Sequence, residues 1–567
     1  MPAPRSICRS SRCCPMRCCV GIVRACATEQ RHVVRDGIRR LDGRRPAGVV
    51  PTRDHASSAG RAARAQPASQ RPARCARRDR ERVTVVAYPQ WCNRDPSKPG
   101  PAMRCALLLF LIGATPLGAT TFHVDPVNGS AGGDGSAAQP WQSLQAVFEA
   151  GLVESRDWPG YPYEDGMVLV PVNAGAPVHA GDTLLLHAGY HGDVAIEHLY
   201  NAAPITIAAA PGETARLRSL RVRSAQNWRI SGLEISPSFG ATNEQVTIVE
   251  VADHGWSGPA YDIELAQLDI HSIDDASGWG PAEWVELASS GVDIDAARVT
   301  LRDSRIRNVR FGIAVSGVDA RILRNLVDGF SADGMRGLGD RGVFEYNRVQ
   351  NNLIGDDFDE NHDDGFQSWS YGPDGVGTGA VTGVVLRGNV FVNATDPSNP
   401  LRSSMQGIGC FDGFFDGWVV ENNVVVTDHW HGISFYGMRD SRIANNTVID
   451  LAGGQPGPPW IMVHDHKDGR PSERVLVRNN LATDHALDGI EITADHNLDA
   501  DDAASLFVDA PFDLHLRDGA AAVDAGSAES APPLDADRVP RPQGAGFDAG
   551  AYERRGDAIF VNGFDPA

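Results

Sequence analysis

The stretch IANNTV, residues 443–448, reads aliphatic, two variable residues, Asn, one variable residue, aliphatic. The same phrase, apolar at both ends, recurs as ILRNLV (322–327), FEYNRV (344–349), LRGNVF (386–391), VENNVV (420–425) and VRNNLA (477–482). It puts Asn325, Asn347, Asn389, Asn423, Asn446 and Asn480 in register, and degenerate copies stand earlier as WRISGLEI (228–235) and LRDSRI (301–306). Between successive copies lies a second short strand, usually opened by glycine: GVDID, GIAVS, GMRGL, GFQSW, GIGCF, GISFY, WIMVH and GIEIT. Its first apolar residues, Val292, Ile313, Met335, Phe366, Ile408, Ile433, Ile461 and Ile490, are 21, 22, 31, 42, 25, 28 and 29 residues apart. Two strands therefore alternate along a coil of variable length. A single coil has no means of burying its apolar face, whereas stacked coils pair each strand with those above and below and fill one continuous core. The predicted fold is all-β, a right-handed parallel β-helix solenoid. A β-propeller would need four strands per blade at a steadier period of about 40–45 residues. The asparagines read as structural, because side-chain amides at a bend can bond along the stack and to backbone groups that the bend leaves unpaired.

Outside the repeats, residues 1–102 are rich in Arg, Ala, Pro and Cys, show no sustained apolar period, and read as a disordered, non-native extension. MRCALLLFLIGATPLGA at 103–119 has the basic start, short apolar run and small closing residues of a secretory signal. Translation is thus expected to begin at Met103 and the product to be secreted or periplasmic. Of 52 Lys and Arg and 72 Asp and Glu, 23 and 7 fall in 1–119, leaving 29 against 65 and a net charge of −36. Nine of the ten cysteines fall there too, so Cys410 alone remains and no intramolecular disulfide is possible. Such a charge argues against nucleic acid or an anionic membrane as partner, and would repel a polyanion unless metal ions bridge the two. The remaining chain divides into an N-terminal cap (120–180), the β-helix (181–503), a C-terminal capping segment (504–553) and a tail (554–567). In the first of these, Leu144, Val147, Phe148 and Leu152 share one face of a helix suited to cover the end of the core.

Strand alternation places the candidate site. With Phe366 inward, Gln367 and Trp369 point outward, and the same count aligns Arg336, Gln367, Ser434 and Glu491 in one column. A second column holds Trp369, Phe411, Tyr436 and His464, an apolar strip suited to sugar-ring faces. Just before each strand stand Asp333, Asp364, Gln406 and His431, where acid, base and hydrogen-bonding groups would line one rim, with His362 and His429 nearby. Asp before Gly is also ordinary turn chemistry, which accounts for Asp333 and Asp364 without a function. The acidic segment GDDFDENHDDG offers Asp356, Asp357, Asp359 and Asp363 as hard oxygen ligands for calcium, although its spacing is not that of an EF-hand loop and a solvated acidic loop is the favoured explanation. Tyr436, His464, Lys467 and His431 are the candidate bases for an elimination, with Arg336 or Arg470 assisting by charge.

FHVDPVNGSAGGDGSAAQPWQSLQAVFEAG (122–151), AGDTLLLHAGYH (180–191) and HLRDGAAAVDAGSAESAPPLDADRVPRPQGAGFDAGAYE (515–553) resemble the opening and closing segments of secreted bacterial β-helix proteins, including polysaccharide lyases of the alginate and chondroitin type. The resemblance, which spans residues 121–553, implies the fold and a polysaccharide partner, bound by a monomer, and lyases of this kind use calcium to neutralise a uronate carboxylate. HxDGFQxW at 362–369 resembles a pattern, HxDxIQxW, of exported bacterial β-helix proteins, and GDAIFVNGFDPA at 556–567 resembles a terminal tag of exported proteins. Polygalacturonases match poorly: Asp363 and Asp364 lie 67 residues from the HGIS at His431, and Arg442 is followed by Ile and Ala where that family has an RIK element. The expected function is polysaccharide binding and degradation by β-elimination, with hydrolysis by a carboxylate pair or binding without catalysis as alternatives.

Overall fold

Each coil bends at the repeated asparagine, and the bend makes three strands where the sequence suggested two. The computed structural model describes residues 118–555 apart from 356, 357, 359, 360, 454 and 455. The extension at 1–102, nearly all of the signal segment and most of the tail lie outside the described residues. One coil runs through His431–Tyr436, Met438–Ala444 and Thr447–Ile449, and the next through Trp460–His464, Glu473–Arg478 and Leu481–Ala482. Corresponding strands pair in parallel from coil to coil, which excludes a propeller and makes the fold a parallel β-helix. The phrase IANNTV is therefore the end of one strand, a corner and the start of the next. Asn445 at the corner has φ 54°, and Arg324, Tyr346, Asn422 and Asn479 take the same left-handed conformation one residue before their own ladder asparagine.

At that corner the amides form a continuous ladder. Asn423 Nδ2 donates to Asn446 Oδ1 at 3.0 Å and to the carbonyl of Leu386 at 2.9 Å, while its own Oδ1 accepts from the backbone N–H and Nδ2 of Asn389, both at 3.0 Å. The same set of bonds links Asn325, Asn347, Asn389, Asn423, Asn446, Asn480 and Asn497. These side chains are buried from Asn325 to Asn480, so every amide group is paired where water has no access.

The strand that carries the outward columns is labelled here by coil: β1 (Met335–Gly337), β2 (Asp364–Trp369), β3 (Gln406–Asp412), β4 (His431–Tyr436), β5 (Trp460–His464) and β6 (His485–Leu487). Met335, Phe366, Ile408, Ile433 and Ile461 stack inward as expected, each no more than 1 % exposed. The last rung differs. Ile461 pairs with His485, not Ile490, and Ile490 is exposed, so Glu491 leaves the outward column and Ala486 takes its place. The glycines that open these strands have a packing reason, not a turn reason. A Cβ on Gly407 would lie 2.2 Å from the carbonyl oxygen of Gly432 and 2.4 Å from Val425, and one on Gly365 would lie 2.8 Å from both Gly407 O and Phe391. Asp333 and Asp364 thus precede close-packed glycines, and Asp364 with Gly365 lies within a strand and not in a turn.

A helix, Leu144–Glu149, buries Leu144 and Val147 in the main core near the first coils. Residues after 503 run back along the outside of the third sheet, where Leu506, Phe507, Leu514 and Leu516 cover Val390, Val424, Val426, Ile449 and Leu481. The corner asparagines fix this segment: Asn422 Nδ2 donates to Leu534 O at 2.6 Å, Asn445 Nδ2 to Asp548 O at 3.1 Å and Asn479 Nδ2 to Ser527 O at 2.9 Å. A fully buried Arg541–Glu553 pair at 2.6 Å closes it, with Arg541 also donating to Asn422 Oδ1 at 3.1 Å. The doubled NN of coils 420–425, 443–448 and 477–482 is now explained: the second Asn is a rung of the ladder and the first holds the returning chain. No helix among the described residues is long and apolar enough to cross a membrane.

Removing one ladder amide should leave the Asn389 donors and the Leu386 carbonyl buried without partners. Asn423→Ala is expected to cost about 3 kcal/mol or more in urea unfolding. A loss below about 1 kcal/mol would make the ladder incidental to stability.

Candidate functional site

The row ahead of the strands is real and lies deeper than expected. Asp333 and Asp364 are adjacent across β1 and β2, and Gln406 pairs with Asp364 on β3. Both aspartates are essentially inaccessible, at 1 % and 0 %. Asp333 accepts from the Asp364 backbone N–H at 3.1 Å and is ion-paired with Arg336, whose guanidinium lies 4.0 Å from the Phe311 ring centroid and 5.3 Å from that of Trp369. Its charge is thus answered within the protein.

Asp364 has no such cation. Its Oδ2 meets His362 Nδ1 at 2.8 Å and accepts from Gln367 Nε2 at 2.9 Å, and its Oδ1 has no hydrogen-bond donor. Burial disfavours the ionised carboxyl and outweighs the neighbouring imidazole, pushing Asp364 up to about 7 from an ordinary 3.8. Asp364 and His362 thus form a hydrogen-bonded pair whose carboxyl is held well above the usual carboxylate range. When the carboxyl is ionised, His362 Nδ1 donates to it and the basic lone pair falls on Nε2. Gly409 lets the carboxyl lean across to β3, since a Cβ there would sit 2.3 Å from Asp364 Oδ1 and 2.8 Å from the Phe411 ring.

His431 differs in kind. Burial, then the charges of His429 and His362, pull it down to about 3, and burial holds His429 near 4, so both are neutral at pH 7. The Trp460 indole N–H points between Ser434 Oγ at 3.2 Å and His431 Nδ1 at 3.3 Å, and the hydroxyl and that ring nitrogen are themselves 3.0 Å apart, so the three groups form one cluster. His431 is a weak base and a neutral hydrogen-bond donor. Ser434, expected outward, is buried beneath Trp460, whose N–H it accepts at 3.2 Å.

The aromatic column exists in altered form. A register shift after Ser368 makes Trp369 pair with Asp412, so Phe411 is the extra residue of a bulge and Trp369 stays with Arg336. From Phe411 onward the rings touch: Phe411–Tyr436 at 5.5 Å and Tyr436–His464 at 5.4 Å between centroids. Two tryptophans overlooked in the sequence extend this row. Trp460 pairs with His431 across β4 and β5, and Trp430 stacks on Trp460 at 6.2 Å and 17°. The contacts Trp460–His431 at 5.6 Å and His431–Phe411 at 4.7 Å complete a ribbon of rings from Trp430, 40 % exposed, to His464. Trp430 stands two residues before the strand-opening Gly432 in HWHGISF, a position the alternation count did not reach, and Trp460 opens its own strand.

Lys467 donates to Asp412 at 2.7 Å and Arg470 to Asp468 at 2.6 Å, so each carries its own carboxylate. Of the suggested calcium ligands, Asp356, Asp357 and Asp359 lie outside the described residues and Asp363 is buried. Among the described residues no three such side chains are grouped as cation ligands.

No family model matches the chain, and no curated protein matches it. Solved structures similar to it include pectate lyase Pel9A (14 % identity, 77 % of this chain and 97 % of that one, TM-score 0.42). They also include the A-module of a mannuronan C-5 epimerase from Azotobacter vinelandii (12 %, 56 % and 90 %, 0.33) and a lacto-N-biosidase from Eubacterium ramulus (15 %, 66 % and 68 %, 0.37). At these identities none of them assigns an activity or a residue role here.

The shifted carboxyl has a signature in stability. With a folded value near 7 against 3.8, the folded protein retains a proton that the unfolded chain has released, so Asp364 makes the fold less stable as pH rises from about 4 to about 7. Asp364→Asn removes this dependence. The melting temperature of the wild type is expected to fall relative to the variant across that window, and parallel curves would mean an ordinary carboxyl.

Proposed function

We propose that this protein binds a polysaccharide along the ring ribbon of β3–β5 and cleaves it by β-elimination beside the Asp364–His362 pair. The observation that carries the reading is the meeting of that hydrogen-bonded carboxyl–imidazole pair with the continuous, partly exposed ribbon at Gly409 and Phe411. Ring faces suit sugar rings, and a base poised near the working pH suits removal of a carbon-bound proton. In this reading His362 Nε2 takes the proton from the carbon that bears the uronate carboxylate. The freed electron pair forms a carbon–carbon double bond as the bond to the glycosidic oxygen breaks. That oxygen takes a proton from Tyr436, whose phenol burial keeps protonated. His431 donates a hydrogen bond to a sugar oxygen, and Trp369 with Arg336 borders the far side. Geometry favours elimination over hydrolysis by paired carboxylates, because Asp333 and Asp364 are both buried and Asp333 is held by Arg336.

A uronate needs its carboxylate charge offset, yet Arg336, Lys467 and Arg470 are each balanced by an aspartate. Calcium held by the acidic segment before Asp364 would supply that charge.

Digestion of uronate-containing polysaccharides should yield an unsaturated product absorbing in the ultraviolet, and reducing ends without that absorbance would instead establish hydrolysis. His362→Ala should lower turnover about 100-fold or more with binding retained, whereas Trp369→Ala should weaken binding by about 1–3 kcal/mol and leave the fold intact. Phe366→Ala, from the core, should cost several kcal/mol of stability instead. Absence of product from every uronate and neutral polysaccharide tried, with binding present, would leave a glycan-binding protein. Excess chelator is expected to lower both melting temperature and activity; if both hold steady, calcium has no part.

A further inference from the structure

We propose that a second cavity, on a different side of the coils, binds a short run of a neutral polysaccharide independently of the dyad face. Its volume is about 760 Å³, within the range of about 300–1,000 Å³ usual for small-ligand sites. Strands Arg305–Val309 and Leu326–Phe330 form its floor, and the excursion at 274–284 and the loops that begin at Leu353 and Asn393 form its walls. Nothing in the reading of the ring ribbon bears on it.

The lining has two parts that suit a sugar. One is aromatic: Trp279 and Trp284 meet edge to face at 5.1 Å and pack with Leu353 and Leu401 in a small cluster separate from the main core. Trp284 is 1 % exposed, and its indole N–H has no acceptor among the described residues although the side chain lines the cavity. An interior that only had to pack would leave no such donor. The other part is polar and preorganised. Asn351 Nδ2 donates to Asp328 Oδ1 at 2.7 Å, and Asn351 Oδ1 accepts from the backbone N–H and hydroxyl of Thr395 at 2.8 Å. That fixes a carboxylate whose second oxygen has no donor among the described residues. Arg305, on the neighbouring strand two residues before the Arg307 that pairs in register with Asp328, is exposed and makes no ion pair among them, leaving its guanidinium to meet sugar hydroxyls.

Charge selects a neutral chain over an acidic one. Asp274, Asp275, Asp328 and Asp396 line the cavity against Arg305 and Arg307, and Arg307 is already held by Asp269 at 3.1 Å and Asp274 at 2.8 Å. The surplus is negative, so a uronate would be repelled while hydroxyl groups can donate to Asp328 and accept from Arg305.

The test is calorimetry on the full chain with cellohexaose, xylohexaose and mannohexaose, and with hexagalacturonate as the acidic contrast. At least one neutral hexamer should bind, and Arg305→Ala and Asp328→Asn should each weaken it about 10-fold, as loss of a hydrogen bond to a charged group does. Trp369→Ala should leave that affinity unchanged. Arg305 is on the surface and its substitution does not threaten folding, and melting curves would confirm this for both variants. The proposal fails if no neutral hexamer binds at millimolar concentration, if binding survives both substitutions, if Trp369→Ala abolishes it, or if hexagalacturonate binds there more tightly.

Discussion

The asparagine ladder is the constraint on which the rest of the architecture depends. A coil must turn a corner to close, and the corner strips backbone groups of their strand partners. Each ladder amide donates to the next coil, accepts from the coil before and returns a bond to the carbonyl left behind by the turn. Because an amide is satisfied only by another in the same place, coil length is free to vary from 21 to 42 residues while the corner stays in register. The long insertions ahead of β2 and β3, which bring Leu353 and residues of 395–401 to the second cavity, are tolerated for that reason.

Burial does the chemical work at the site. Asp333 and Asp364 are neighbours in one row with the same dry surroundings, yet Arg336 answers the first and only an imidazole answers the second. Two identical side chains thus acquire different tasks, one holding an arginine between Phe311 and Trp369 and the other hydrogen-bonded to His362. The same dryness removes His431 from the list of bases and makes it a donor.

The repeat was legible because its period sits in the chain itself: alternation alone located the inward Phe366, Ile408 and Ile433 and the alignment of Asp364 with Gln406. What alternation does not carry is a shift of register. The bulge at Phe411 broke the expected column by one extra residue, and the last rung moved because His485–Leu487 takes the place beside Ile461 while Ile490 bridges to Glu473 instead. Gly409 has no place in the sequence-derived outward column, and its meaning depends on where the Asp364 carboxyl lies in space. The ring contacts of Trp430 and Trp460 join different coils and so have no trace in local spacing.

The returning C-terminal segment changes the mechanics of the stack. A solenoid whose coils touch only their neighbours unzips from either end, one repeat at a time. Here residues 503–553 act as a clasp, with anchors on the corners of three successive coils and apolar contact from Val390 to Leu481. Those coils then open together or not at all, and they are the ones that carry β3, β4 and β5. The ring ribbon therefore rides on the stretch of the helix least able to fray.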